Sequence, residues 1–136
     1  DDDDAVSPAY IPTILGAIDC APGVDVVLIR GERLDDGKKV WEFTYDVRGQ
    51  WFGAVAGRER GAWVGGGDGT IMCNSPDHLC PVRTDIARAA PFEDRRINED
   101  VEWARAVAPR LRSSARTEGV LYTYRTKAGR EWERRE

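Results

Sequence analysis

Histidine occurs once in this chain, at position 78, and methionine once, at position 72. A Ser-His-acid triad would therefore have to use His78, and no serine sits on a strand-to-helix elbow of the kind that presents such a nucleophile. Lysine is confined to positions 38, 39 and 127. The glycine-rich run 65–69 lacks the Lys-Ser/Thr pair and the following helix of a phosphate loop, and it reads as a hairpin connection. No apolar run approaches the ~20 residues that a membrane-spanning helix needs. The longest, residues 24–29, is interrupted by Asp25 and fits a strand. Internal repeats are missing, and Asp1 to Asp4 is the one low-complexity stretch.

What remains is the composition of an ordinary folded protein. The 136 residues suit one domain, expected over 7–136 behind an acidic tail at 1–6. A chain of this size buries about two-thirds of its unfolded surface, enough for a core without obligatory staples. Net charge is −4, unevenly placed. Residues 1–82 carry seven Lys/Arg against fourteen Asp/Glu, whereas 83–136 carry thirteen against ten. Such polarity suits an oppositely charged neighbour or a second copy packed head to tail. The acidic balance disfavours general nucleic-acid binding, which rests on phosphate contacts. Seventeen of the twenty basic residues are arginine, which points to a GC-rich bacterial or phage genome. The opening on four aspartates instead of methionine suggests a processed, excised or trimmed chain.

The hydrophobic pattern predicts an α+β fold. A short N-terminal helix is expected over residues 8–19, capped by Ser7, with Ile11, Ile14, Leu15 and Ile18 on one face. An antiparallel meander follows between residues 24 and 72. Its strands are 24–30, 40–47, 50–56, 62–64 and 70–73, and residues 34–38 contain an Asp-Gly turn. In 40–47, Trp41, Phe43 and Tyr45 alternate with Glu42, Thr44 and Asp46. Residues 84–90 are expected to make one or two helical turns. A long helix is expected over 93–111, with Ile97, Val101, Ala104, Ala108 and Leu111 as its stripe and Pro109 shortening its last turn. A C-terminal hairpin, 119–126 with 130–135, completes a curved antiparallel sheet packed on the long helix.

The segment from Cys73 to Cys80 holds two of the three cysteines and the only histidine. Three readings compete. A disulfide among Cys73, Cys80 and Cys20 would fit an exported protein, and sequence alone does not choose the pair. Cys20, Cys73, His78 and Cys80 number the four ligands of a structural zinc site, but none has the tight spacing of a zinc ribbon. A Cys20 or Cys73 nucleophile activated by His78 is disfavoured. Cys20 ends a helix, where the dipole opposes a thiolate. The bridge is the preferred reading, with no metal or cofactor assigned. Glu42 and Asp46 near Lys38 and Lys39 lack the spacing of a nuclease carboxylate-x-Lys pair and read as a solvated strand face.

Strand alternation prevents all the aromatic residues from facing inward. Trp51 and Phe52 are adjacent, so one of them points out. The candidate interface anchors are therefore Trp51, Phe52, Trp63, Tyr122, Tyr124 and Trp132. The expected function is a non-enzymatic protein-interaction or assembly domain, exported from a bacterium or part of a phage particle. Its expected partner is a protein or a second copy, its location extracellular, periplasmic or virion. The alternative is a small hydrolase or nuclease-like effector using His78 with Cys or Asp partners. A small-molecule ligand is left unassigned.

Overall fold

A computed structural model describes residues 4–47, 62–64, 71–92, 94 and 99–126. The chain enters as a two-residue strand, β1 (Ala5–Val6), and turns into helix α1 (Tyr10–Cys20). Ser7 Oγ accepts the Ala9 N–H at 3.1 Å, and Pro12 lies within the first turn, where a missing N–H costs little. Strands β2 (Val26–Leu28), β3 (Gly31–Asp35) and β4 (Lys38–Tyr45) follow. Between β3 and β4, Asp36 and Gly37 both take positive φ, 48° and 77°, the conformation of the Asp-Gly hairpin turn. Next come β5 (Ala62–Val64), β6 (Ile71–Asn74), α2 (Thr84–Arg88) and α3 (Glu99–Val107). A 3-10 turn (Ala108–Arg110), β7 (Ser114–Arg116) and β8 (Tyr122–Thr126) close the described chain.

The α+β class is as expected, but the sheet is mixed instead of a simple meander. Its six strands run in the order β1-β8-β3-β4-β6-β5. The pairs β1·β8, β3·β4 and β5·β6 are antiparallel, whereas β3·β8 and β4·β6 are parallel. The most apolar strand, expected at the centre of this sheet, leaves it. β2 instead pairs in parallel with β7, at the register Val26↔Ser114. Val26, Val27, Leu28 and Ile29 are all almost completely buried. A continuous apolar run without alternation is the mark of a strand enclosed on both faces. The expected strand 50–56, the glycine-rich loop 65–69 and the return strand 130–135 lie outside the described residues.

The long helix expected over 93–111 is a nine-residue α3 followed by the 3-10 turn that contains Pro109. Proline has no N–H to continue the α-helical ladder, so the last turn tightens. Residues 95–98 lie outside the described set. Val101, Trp103, Ala104 and Val107 make the buried side of α3, and Leu111 is buried beyond it. Ala108, expected in the stripe, is only half-buried. Phe92 stacks on Trp103 with ring centroids 5.2 Å apart.

The core joins one face of the sheet to α1, α2, α3 and β2. Phe43 and Tyr45 of β4 point into it and meet edge to face at 6.0 Å. Gly31 lies opposite Phe43 in the β3·β4 register, and a Cβ on it would sit 2.2 Å from the Phe43 ring. The ring occupies the space a side chain would need. On the other face Glu42 accepts from both Arg30 and Lys39, which holds its carboxyl below the usual range.

Candidate functional site

The chemistry-bearing segment after β6 folds into a tight corner. Pro76 is fully buried and Ser75 nearly so, which anchors the start of the turn. Asp77 then organises it. Its Oδ1 accepts the Leu79 N–H at 2.9 Å, and its carbonyl accepts the Cys80 N–H at 3.0 Å. The other oxygen, Oδ2, accepts the hydroxyl of the buried Tyr45 at 3.1 Å. Burial pushes Asp77 up, with the nearby Asp100 adding to it. It pushes the Tyr45 phenol and the Cys80 thiol well up too. Cys80 is therefore a protonated core side chain, inert as a nucleophile at neutral pH. His78 stands outside the corner, its side chain 43% exposed, with Nδ1 3.7 Å from Asp100 Oδ2 at the start of α3.

None of the three possible disulfides is formed, because Cys20 and Cys80 are both free thiols and each bridge needs one of them. Cys20 ends α1 on the surface, whereas Cys80 is buried in the core. The two are thus in different environments, and the side chain of Cys73 is outside the described set. Among the described residues, no three His, Cys, Asp or Glu side chains converge as metal ligands.

A second polar centre gave no signal in the sequence beyond an acid at the start of an apolar run. Asp25 is 5% exposed and precedes β2. Its Oδ2 accepts the backbone N–H groups of Arg112 and Ser113 at 2.6 and 3.0 Å, and its Oδ1 accepts Arg83 Nη1 at 2.7 Å. Its own N–H donates to Ser113 Oγ, and its carbonyl accepts the Arg83 N–H. These bonds, led by the one from Arg112, hold the carboxyl below the usual aspartate range despite its burial. Asp25 thereby ties the entrances to β2, α2 and β7 together, which is a structural role.

The aromatic candidates are distributed as follows. Tyr122 is half-buried on β8; its hydroxyl donates to Asp4 Oδ2 at 2.6 Å, and its ring meets Phe43 edge to face at 6.5 Å. Burial and the bond to Asp4 raise its pKa. Tyr124 is also half-buried, and the Arg33 guanidinium sits 5.9 Å from its ring and 4.4 Å from that of Trp41. Arg33 is held in turn by Asp35 and Thr126. Trp63 lies opposite Met72 in the β5·β6 register. Trp51, Phe52 and Trp132 lie outside the described residues.

Helix α1 departs from the single apolar face expected, because Ile14 is buried apart from Ile11, Leu15 and Ile18. Its apolar residues form two stripes at i, i+4, i+7, not one. Tyr10, Ile14 and Ala17 pack on the core, with Ile14 at 5% exposure. Ile11, Leu15 and Ile18 point to solvent, at 61%, 54% and 37%. Among the Asp, Glu, Lys and Arg residues, Asp19 alone belongs to the helix. A surface helix normally presents a polar outer face. An exposed apolar stripe of this kind marks an interaction surface more often than scattered single residues do. No protein-family model matches the sequence, and neither a characterised protein nor a solved structure is significantly similar to it.

Proposed function

We propose that this chain is a non-enzymatic protein-interaction or assembly domain that works through the outward face of α1. The supporting observation is the exposure of Ile11, Leu15 and Ile18 on a helix with one charged side chain. Burying such side chains against a partner removes apolar surface from water, the dominant favourable contribution to most protein association. The chemistry around His78 supports catalysis less. The Cys80 thiol is buried and held protonated, so the imidazole has Asp100 beside it but no nucleophile on the described face.

A photo-reactive amino acid at position 15, in the chain expressed in its own host, tests the reading. Irradiation should trap a defined protein adduct, either a copy of this chain or another protein, and Leu15→Glu should abolish function while leaving the melting temperature nearly unchanged. An adduct-free chain whose function survives Leu15→Glu would sink the proposal. The fold itself should tolerate the change, because exposed substitutions away from special features stay within about 0.5 kcal/mol.

A further inference from the structure

We infer that the partner on this face is a second copy of the chain, with two α1 helices crossing antiparallel about a twofold axis at Leu15. The inference rests on the interaction reading above and names its partner. The exposed stripe is spaced four and then three residues, 11 to 15 to 18, the spacing of a helix–helix seam. A twofold axis at Leu15 sets Leu15 against its own copy and each Ile11 against Ile18 of the second copy. An isologous contact requires this kind of self-complementarity. Gly16 lies beside the axis, where a Cβ would meet nothing within 4 Å, so the helix surface is open to close approach.

Charge selects both the partner and the orientation. α1 has no acidic residue in its first turn and no basic residue in its last. Its one carboxylate, Asp19, lies in the last turn, where the partial negative charge of the helix C-terminus opposes it. Among the described residues the Asp19 side chain makes no hydrogen bond or ion pair. Antiparallel pairing carries each Asp19 to the first turn of the other helix, where the partial positive charge of the helix N-terminus attracts an anion, although the Ala9, Tyr10 and Thr13 N–H groups are already bonded within the chain. Parallel pairing would set Asp19 against Asp19. The same short helix thus supplies the apolar stripe and both halves of the charge pairing, which an unrelated partner would have to match independently. The helix has eleven residues, a length of about 16 Å. A contact of that size falls short of the ~800 Å² per partner of a standard interface, so association is weak and concentration-dependent.

Sedimentation equilibrium on the purified full chain, from micromolar to millimolar concentration, tests the inference. The wild type should shift from monomer to dimer. Leu15→Glu should weaken the dimer by at least ~30-fold, as expected for a central anchor. Asp19→Arg should weaken it roughly threefold to thirtyfold while leaving the monomer at least as stable, since the cation suits its own helix end but opposes the other copy's first turn. In a Cys20→Ser background, oxidised Leu15→Cys should give a covalent dimer faster than the native Cys20 does, because antiparallel helices hold the two Cys20 thiols about 15 Å apart along the axis. A wild type that stays monomeric throughout, a dimer indifferent to Leu15→Glu, or faster linkage through Cys20 would each overturn the inference. A monomer whose position-15 adduct in the host is another protein would overturn the second copy alone. A monomer with no adduct would remove the interaction reading as well.

Discussion

Asp25 is buried ahead of β2 and Asp77 lies half-buried in the turn after β6, and their carboxyls are held on opposite sides of the ordinary aspartate pKa. Asp25 faces two backbone N–H groups and a guanidinium, so ionisation is supported by three donors. Asp77 faces one backbone N–H and one neutral hydroxyl, with the carboxylate of Asp100 nearby. Burial opposes the charge at both positions, and the number and charge of the donors decide which way each group moves. The pair also separates two uses of a polar core residue. Asp25 fastens three chain segments, whereas Asp77 shapes one turn and satisfies one buried tyrosine.

The largest test of that contrast is Asp25→Ala. It orphans the Arg112 and Ser113 N–H groups and should destabilise the fold by about 3 kcal/mol in denaturant titrations at neutral pH. A loss below about 1 kcal/mol would contradict the fastening role. The wild-type contribution also carries a sign. The folded pKa of Asp25 is depressed, so its stabilisation is present above the unfolded aspartate pKa and disappears as pH falls through the folded value. Tyr45→Phe should cost less, about 1 kcal/mol, because the hydroxyl donates a single bond to a carboxyl that keeps the Leu79 N–H. It should also push Asp77 further up, which an NMR titration of the Asp77 carboxyl would show; an unmoved or lowered value would break the assignment.

Asp77→Asn has the smallest expected effect and the opposite direction. The folded pKa of Asp77 is raised, so its favourable contribution is full below the unfolded pKa and is lost as pH rises through the folded value. Asparagine cannot ionise, and the Tyr45 hydroxyl can rotate to accept from its amide. The variant should therefore match or slightly exceed wild-type stability at pH 7, with any advantage vanishing below about pH 4. A variant that is clearly less stable at pH 7 would show that Asp77 works there as a carboxylate, like Asp25.

Local features of the chain were legible to the extent that neighbouring residues decide them. Asp36-Gly37 adopts the positive φ values that make it a hairpin turn, and Trp41, Phe43 and Tyr45 alternate with polar residues because strand side chains point to opposite faces in turn. The apolar period marked α1, but the expected Ser7 cap is not made: Ala9 is the N-cap, and Ser7 Oγ accepts the Ala9 N–H ahead of the helix. Its orientation was not legible, since Tyr10-Ile14-Ala17 and Ile11-Leu15-Ile18 are both apolar at helical spacing. The β2–β7 pair against which α1 lies decides which stripe is covered. The same limit applies to Cys73, His78 and Cys80, whose proximity in sequence suggested a bridge or a metal site. Turn geometry around Asp77 instead sends the Cys80 thiol into the core and leaves His78 at the surface.

Residue patterns within single segments already carried the α+β class, the β3–β4 hairpin turn and the position of the first helix, and among the described residues no helix is long and apolar enough to cross a membrane. Each of these depends on residue spacing within one segment. Long-range packing sends β2 from the main sheet to β7, leaves an apolar stripe of α1 in solvent, and makes Asp25 and Asp77 ionise differently. Asp25 takes its N–H donors from residues 87 and 88 positions away, and Tyr45 meets Asp77 across 32. A carboxyl's charge state and a helix's buried side are set by the atoms that arrive from such distances, and no local pattern encodes their arrival.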